Sequence, residues 1–179
     1  GYTTQWPKSM GAEYAGKPNF FPQKIIKGMP IEKWAKSAAW CAANDLRSKE
    51  CGYVKTTDYD SLIPKLHTMR QDAKDRWKVG MKIHSVIKNR TKNRFQFAPV
   101  LEVKSIQKIE IKHYRTTSFV VIDGSAWELH KNLKGQPYSW NHKIETLAQN
   151  DGFPSVEAFF AWFNTDFTGK IIHWTELKY

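Results

Sequence analysis

The segment PVLEVKSIQKIEIKH, residues 99 to 113, constrains the fold most strongly, because apolar and polar residues alternate along most of its length. A period of two is that of a strand with one buried face. The residues on one parity are Leu101, Val103, Ser105, Gln107, Ile109 and Ile111. In the following segment, FVVIDGSAWEL, the pair Asp123-Gly124 separates two runs and predicts a tight hairpin. The middle of the chain therefore reads as half-buried strands joined by a hairpin.

Helical patterns stand on both sides of these strands. FFPQKIIKG predicts one or two helical turns that end at Gly28, and residues 31 to 50 have apolar residues at spacings of three and four. After the strands, Ser139 is a candidate N-cap for one helix. A second helix is indicated by Val156, Phe159, Phe160 and Phe163. Beyond Gly169, the segment KIIHWTEL predicts a closing strand.

Two further segments complete the strand pattern. MKIHSVI reads as a strand, and KNRTKNRFQF has the composition of a hairpin loop, with four basic residues among Asn, Thr and Phe. The order of elements is then helix, strands, hairpin, two helices and strand. An order of this kind predicts an α+β fold in which a small twisted barrel is flanked by helices. The 179 residues fit one domain, 1–179.

Positive charge is concentrated in one part of the chain. Residues 64 to 117 hold fourteen Lys or Arg and four Asp or Glu, which is a net +10 of the chain's +11. A concentrated field of this sign attracts polyanions and makes their binding depend on salt. The alternatives are a well-solvated lysine-rich face and a basic module, of phage origin, that binds an acidic host protein.

Other classes of protein are disfavoured by composition. No apolar run approaches the roughly 20 residues of a bilayer span, so no membrane association is expected. The first residues lack the pattern of a signal peptide, and Cys41 and Cys51 match no metal-ligand spacing, so we expect a cytoplasmic protein. The histidines are scattered without regular spacing, and neither a metal nor a cofactor is predicted.

A short motif precedes the strands. Lys65, Thr68 and Arg70 form K-x-x-T-x-R, and W-K-x-G-M-K-I follows at 77 to 83. Farther along, Asp151 stands before an aromatic helix, and the closing strand lies near residue 179. This order of motifs resembles the ASCH family, a branch of the PUA-like barrels, and is similar to ASCH-like proteins of phages and prophages.

The resemblance implies a fold and several activities. It implies a PUA-like small β-barrel flanked by helices, with residues 29 to 63 as a helical insertion. It also implies binding of RNA or a nucleotide in a basic cleft at the barrel mouth; some members have ribonuclease activity, and one branch hydrolyses the amide of acetylated cytidine. Carried over to this chain, Thr68 is the nucleophile, Lys65 its activating base and Asp151 the group that orients and charges the pair.

The motif residues also have simpler interpretations. Thr68 can be an ordinary strand residue, Lys65 and Arg70 can contact phosphates, and Asp151 can begin a turn. In an extended segment Lys65 and Thr68 start on opposite faces, so a shared pocket requires a bend, and His67 faces away from Thr68 as a packing residue. The residues predicted to bind nucleic acid are Arg70, Arg76, Lys82, Arg90, Lys92 and Arg94.

Overall fold

The computed structural model describes residues 1–30, 60–130 and 141–179. Its helices are α1 (Phe21–Lys27), α2 (His142–Asn150) and α3 (Val156–Trp162), with a 3₁₀ turn at Lys8–Met10. The strands are β1 (His67–Arg70), β2 (Lys82–Ile83), β3 (Val86–Ile87), β4 (Phe95–Gln96), β5 (Leu101–Glu102), β6 (Ser105–His113), β7 (Thr117–Ile122), β8 (Ser125–His130) and β9 (Phe167–His173). The predicted α+β class is confirmed.

Five strands form the main sheet, in the order β1-β9-β6-β7-β8, with every neighbouring pair antiparallel. The predicted closing strand is confirmed as β9, and it lies between β1 and β6 rather than at an edge. Two small ladders, β2-β5 and β3-β4, complete the strands of the described residues. Within those residues the main sheet is open and no closed barrel forms.

The long alternating segment is two strands and not one. β5 pairs with β2 of a small ladder, whereas β6 pairs with β9 of the main sheet. At the break, Val103 N donates to the Met81 carbonyl at 2.9 Å and Lys104 N donates to the His173 carbonyl at 2.8 Å. The alternation persists through residues 103 and 104 because the chain stays extended while it changes partner.

The predicted hairpin at Asp123-Gly124 is confirmed. Both residues have positive φ, 48° and 86°, as a two-residue turn of type I′ requires. The loop KNRTKNRFQF likewise joins a hairpin, since β3 pairs with β4 across it. MKIHSVI is confirmed as extended chain, but it divides into β2 and β3 at His84 and Ser85.

Side-chain caps define the helix starts. Asn141 accepts from the backbone N–H groups of Lys143 and Ile144, at 3.1 and 3.4 Å, and so begins α2. The predicted cap, Ser139, lies outside the described residues. Ser155 caps α3 by accepting from Ala158 N at 3.2 Å. The predicted short helix before Gly28 is confirmed as α1.

The main sheet has a hydrophobic core on each face. One core packs α2 and α3 against the sheet and contains the adjacent aromatic rings of Trp6, Phe21 and Phe153. The other core lies beneath α1 and the two small ladders and includes Trp174. Successive residues of β9 serve different cores, Ile171 the first and Ile172 the second, as strand alternation requires. The last residues of β9 are therefore buried on both faces of the sheet.

Two expectations from the sequence remain predictions. The helical insertion at 29 to 63 falls almost entirely on residues 31–59, outside the described residues. The same holds for the helix expected at 31 to 50. Of the helices in the described part of the chain, none combines the length and the apolar character needed to cross a bilayer.

Candidate functional site

Lys65 enters the site on a segment held between two helix ends. Its backbone N–H donates to the Lys24 carbonyl at 2.9 Å, and the next N–H, of Leu66, donates to the Asn150 carbonyl at 2.8 Å. Gly28 at the end of α1 allows this approach, because a Cβ added there would clash with the Lys65 carbonyl oxygen. The position of Lys65 is thus fixed by backbone contacts on both sides.

Lys65 and Asp151 form a buried ion pair. The Lys65 ammonium donates to both the carboxylate and the backbone carbonyl of Asp151, and the two side chains are 2% and 5% exposed. The ring of Phe21 lies 4.8 Å from Lys65 Nζ on another side. The ammonium is therefore enclosed by the oxygens of Asp151 and the ring of Phe21.

The two groups of the pair have shifted pKa values. Burial lowers the pKa of Lys65 to about 8, although the neighbouring Asp151 carboxylate opposes this change. Burial acts to raise the pKa of Asp151, but the positive charge of Lys65 and the nearby His67 outweigh it and hold the pKa below its usual value. At neutral pH the pair is ionised, with Lys65 much closer to losing its proton than an exposed lysine.

Asp151 lies at the end of α2, and not at the start of α3 as its sequence position suggests. It is the C-cap of α2, and residues 151 to 155 connect the two helices. Gly152 turns the chain there with φ of 86°, and its backbone carbonyl accepts from Lys24 Nζ at 2.7 Å. A Cβ on Gly152 would meet the ring of Phe21 and the Lys65 side chain at 3.2 and 3.3 Å.

A cavity of about 130 Å³ brings the motif together. Lys65, Thr68, Arg70 and Asp151 all line it. The bend that the motif requires is present, because Lys65 precedes β1 and is not bound by the alternation of that strand. The other residues lining the cavity are Gly1, Tyr2, Thr3, Phe21, Met69, Phe153, Trp162 and Phe163. The cavity is therefore polar on the β1 side and aromatic on the α3 side.

Tyr2 joins two of the motif residues. The Arg70 guanidinium lies 4.9 Å from the Tyr2 ring centroid, and Tyr2 lines the cavity together with Thr68 and Arg70. Burial raises the pKa of Tyr2, while the Arg70 charge opposes this. The backbone of Tyr2 is held by a hydrogen bond of 2.7 Å from its N–H to the Val86 carbonyl. Sequence reasoning missed Tyr2, since nothing in GYTTQW indicates a contact with residues 68 and 70.

The predicted nucleic-acid-binding residues divide into two groups. Arg70 lines the cavity, and the pKa of the Gly1 amine, which burial lowers, is lowered further by the positive charges of Arg70, Arg90 and Arg94. Arg90 and Arg94 are therefore near Gly1, which lines the cavity, but neither of these two arginines lines it. Arg76, Lys82 and Lys92 are exposed, as Arg90 and Arg94 are, and they do not line the cavity either.

His67 is buried behind the cavity, as expected for the face of β1 opposite Thr68. It does more than pack, however, because its Nε2 lies 2.7 Å from the Tyr179 hydroxyl and its Nδ1 lies 3.5 Å from the Asp151 carboxylate. Its position one residue before Thr68 was the available signal for this role. Within the described residues, no group of three or more His, Cys, Asp or Glu side chains is arranged to hold a metal ion.

The chain was compared with models of protein families, with curated proteins and with solved structures, and none of the three comparisons found a match.

Proposed function

We propose that the cavity binds the base of a nucleotide, free or within RNA, and that Arg70, Arg90 and Arg94 contact its phosphates. The observation that carries this function is the convergence of Lys65, Thr68, Arg70 and Asp151 on one cavity. The likeness to the ASCH family and its PUA-like barrel belongs to the same proposal; the shared cavity supports the motif, and the barrel rests on the order of elements alone.

The size and lining of the cavity suit a single aromatic ring. An apolar cavity of about 150 Å³ can hold benzene, and this one has about 130 Å³. Trp162, Phe163 and Phe153 offer ring faces and edges, and bases stack on aromatic side chains in many nucleic-acid-binding proteins. The Lys65–Asp151 pair and the Thr68 hydroxyl supply donors and acceptors for the edge of a base. A six-membered pyrimidine ring meets both requirements.

The arginines account for a phosphate. Arg90 and Arg94 are exposed on the β3–β4 loop, beside Gly1 at one end of the cavity. A Cβ on Gly1 would lie 2.7 Å from Cβ of Asn89, which places this loop against the first residue of the described chain. A base in the cavity would thus have positive charge next to its sugar-phosphate part.

Salt-dependent binding tests this function. We expect a pyrimidine-rich single-stranded RNA to bind with an affinity that falls steeply as salt rises. The double variant Arg90→Ala/Arg94→Ala should reduce the log–log slope by about 1.4, since each phosphate that is no longer neutralised lowers it by about 0.7. The matched control is Arg115→Ala/Lys108→Ala, which removes the same charge from exposed positions that do not line the cavity. Equal slopes for the two double variants would refute the assignment of phosphates to this end of the cavity.

A lysate pull-down addresses the remaining alternative, the basic protein-interaction module. If a captured protein persists after nuclease treatment and RNA binds the wild type no better than it binds the Arg90→Ala/Arg94→Ala variant, the basic face serves a protein. Loss of all captured proteins on nuclease treatment supports RNA as the ligand.

Amide hydrolysis of acetylated cytidine is the second candidate, and the lowered pKa of Lys65 favours it. With a pKa of about 8, about a tenth of Lys65 is neutral at pH 7 and can accept a proton. Thr68 Oγ would attack the acetyl carbonyl while Lys65 takes the hydroxyl proton and returns it to the departing cytidine amine. Water would then hydrolyse the acyl-threonine to acetate. Asp151 holds the ammonium that forms.

Turnover of acetylated cytidine decides this candidate. We expect release of acetate by the wild type and loss of at least about a hundredfold in Thr68→Ala and Lys65→Ala, since each removes a reacting group. Equal residual rates in all three proteins would mean that the activity belongs to something else. Binding without turnover in the wild type would leave the nucleotide-binding function alone.

A further inference from the structure

A chain of polar side chains reaches Asp151 from the side opposite the cavity. Asn150 Nδ2 donates to the Tyr179 hydroxyl at 3.0 Å, and that hydroxyl lies 2.7 Å from His67 Nε2. His67 Nδ1 lies 3.5 Å from Asp151 Oδ1, and within the described residues it forms no hydrogen bond. The hydrolysis outlined above uses none of these three side chains.

The hydrogen bonds determine which nitrogen of His67 carries the proton. The Tyr179 hydroxyl accepts from Asn150, and within the described residues His67 Nε2 is the acceptor that lies in reach of the hydroxyl proton, so we assign Nε2 as an acceptor. A neutral imidazole carries one proton, and it is then on Nδ1, facing Asp151. The opposite tautomer would turn the Nδ1 lone pair toward the carboxylate, with two acceptors facing each other in a buried site.

His67 is neutral in this environment. Burial lowers its pKa, and the Lys65 charge acts in the same direction, while the Asp151 carboxylate opposes both. Across the sheet it faces His173, whose pKa burial lowers to about 3. The tautomer of His67 is consequently a defined property of the folded protein at pH 7.

Tyr179 is itself held in place. Gln107 Nε2 donates to the Tyr179 carbonyl at 2.9 Å, and Tyr179 N donates back to Gln107 Oε1 at 2.9 Å. The ring of Tyr179 also packs edge-on against His67 and Trp127. A hydroxyl anchored in this way can fix the orientation of the imidazole.

We propose that His67 is a positioning residue for the Asp151 carboxylate, held in its Nδ1-protonated tautomer by Tyr179 and Asn150. Its N–H shares the charge of Asp151 with Lys65, so Lys65 releases its proton more readily than it would beside a carboxylate with no other partner. The role of neutral Lys65 as a base in hydrolysis rests on the function proposed above. The tautomer and its effect on Lys65 do not.

Nitrogen NMR of the wild-type protein is the first test, and it needs no variant. We expect the His67 ring to show a protonated Nδ1 and an unprotonated Nε2 at pH 7. Tyr179→Phe, which removes only the hydroxyl, should weaken that preference, whereas the exposed Tyr114→Phe should leave it unchanged. A wild-type His67 protonated on Nε2 would overturn the proposal.

A pair of substitutions at His67 tests the effect on Lys65. In His67→Asn the amide can keep a donor near the position of Nδ1, whereas His67→Leu keeps a similar volume without a donor. We expect the Lys65 titration midpoint, followed by carbon NMR, to rise by roughly half a unit in His67→Leu. That is less than a well-formed hydrogen bond to a charged group would give, and His67→Asn should restore the wild-type value.

The outcomes separate this role from the reaction. An unchanged Lys65 midpoint in both variants would refute positioning by His67, whatever the activity. If the tautomer and the midpoints follow expectation but acetylated cytidine is not hydrolysed, His67 positions Asp151 in a binding site and the hydrolysis alone fails.

Discussion

Two lysines of this molecule are each bonded to an aspartate, yet their pKa values move in opposite directions. Lys65 pairs with Asp151 in the cavity wall, and burial lowers its pKa to about 8. Lys170 on β9 pairs with Asp75 in the 71–80 loop, and that hydrogen bond raises its pKa. The two side chains have the same chemistry. Lys65 is 2% exposed beside one carboxylate, whereas Lys170 is 12% exposed beside two, and this difference decides which lysine becomes a proton acceptor near neutral pH.

The surroundings of Lys170 show what an ion pair does when it only organises a loop. Lys170 Nζ also lies 3.1 Å from Asp72 Oδ2 and donates to the Trp77 carbonyl at 3.0 Å. Asp72 in turn accepts from the backbone N–H groups of Arg76 and Trp77, both at 2.9 Å. These contacts fasten the 71–80 loop to β9. Lys65 differs from Lys170, because it pairs with the C-cap residue of α2 and lines the cavity.

The largest difference between the two ion pairs should be the loss of stability when the aspartate of each pair is replaced. Asp151→Asn leaves a buried ammonium without its counter-charge, and we expect it to lower the free energy of unfolding by about 3 kcal/mol at pH 7. Asp75→Asn is the matched control, and since Asp75 is 65% exposed we expect little change. Chemical denaturation of both variants measures the two values. Equal losses would show that burial does not distinguish the pairs.

Titration should separate the lysines by more than two pH units. We expect the Lys65 side chain to titrate near pH 8 and Lys170 above its usual 10.5, as followed by carbon NMR. Because the unfolded chain binds the Lys65 proton more tightly than the folded protein, the Lys65 contribution to stability should increase as pH rises from 8 to 10.5. Lys65→Met should remove this increase. A Lys65 midpoint near 10.5 would contradict the pKa shift caused by burial.

Substitution of one glycine beside the cavity and one in the 71–80 loop should give a smaller difference in stability. Gly152 and Gly80 have nearly the same positive φ, 86° and 84°, but only Gly152 has neighbours that an added Cβ would meet. Alanine at Gly80 should cost about 1 kcal/mol from backbone strain alone. Alanine at Gly152 should cost about 1 kcal/mol more, because it also presses on Phe21 and Lys65. Thermal denaturation of both variants checks this order, and a larger loss for Gly80→Ala would contradict it.

The parts of the fold that follow from local patterns were predictable. The Asp123-Gly124 turn, the helix before Gly28 and the α3 helix depend on nearby residues, and the structure confirms all three. The division of residues 99 to 113 was not predictable, because a strand that changes partner keeps its alternation. The order of elements predicted a small barrel, whereas the main sheet of the described residues is open.

The residues of the site that belong to the sequence motif were predictable, and the others were not. Lys65, Thr68 and Arg70 are close in sequence and line one cavity. Tyr2 and Tyr179 are far from the motif in sequence, and they reach the site through tertiary packing alone. Burial of Lys65 is likewise a property of the folded molecule, since Lys78 in the next loop is 61% exposed in a similar pair.

Salt should have the smallest effect on stability. It should change the stability loss caused by Asp75→Asn but not the loss caused by Asp151→Asn. The attraction between exposed charges is largely screened at about 1 M salt, where the Debye length is about 3 Å, whereas a buried pair is screened much less. We therefore expect the small stability difference between wild type and Asp75→Asn to vanish when sodium chloride is raised from about 0.05 to about 1 M, while the loss in Asp151→Asn persists. Denaturation curves at both salt concentrations supply the comparison. If the Asp151→Asn loss disappeared as well, water and ions would have access to Lys65, and the burial on which its lowered pKa depends would be refuted.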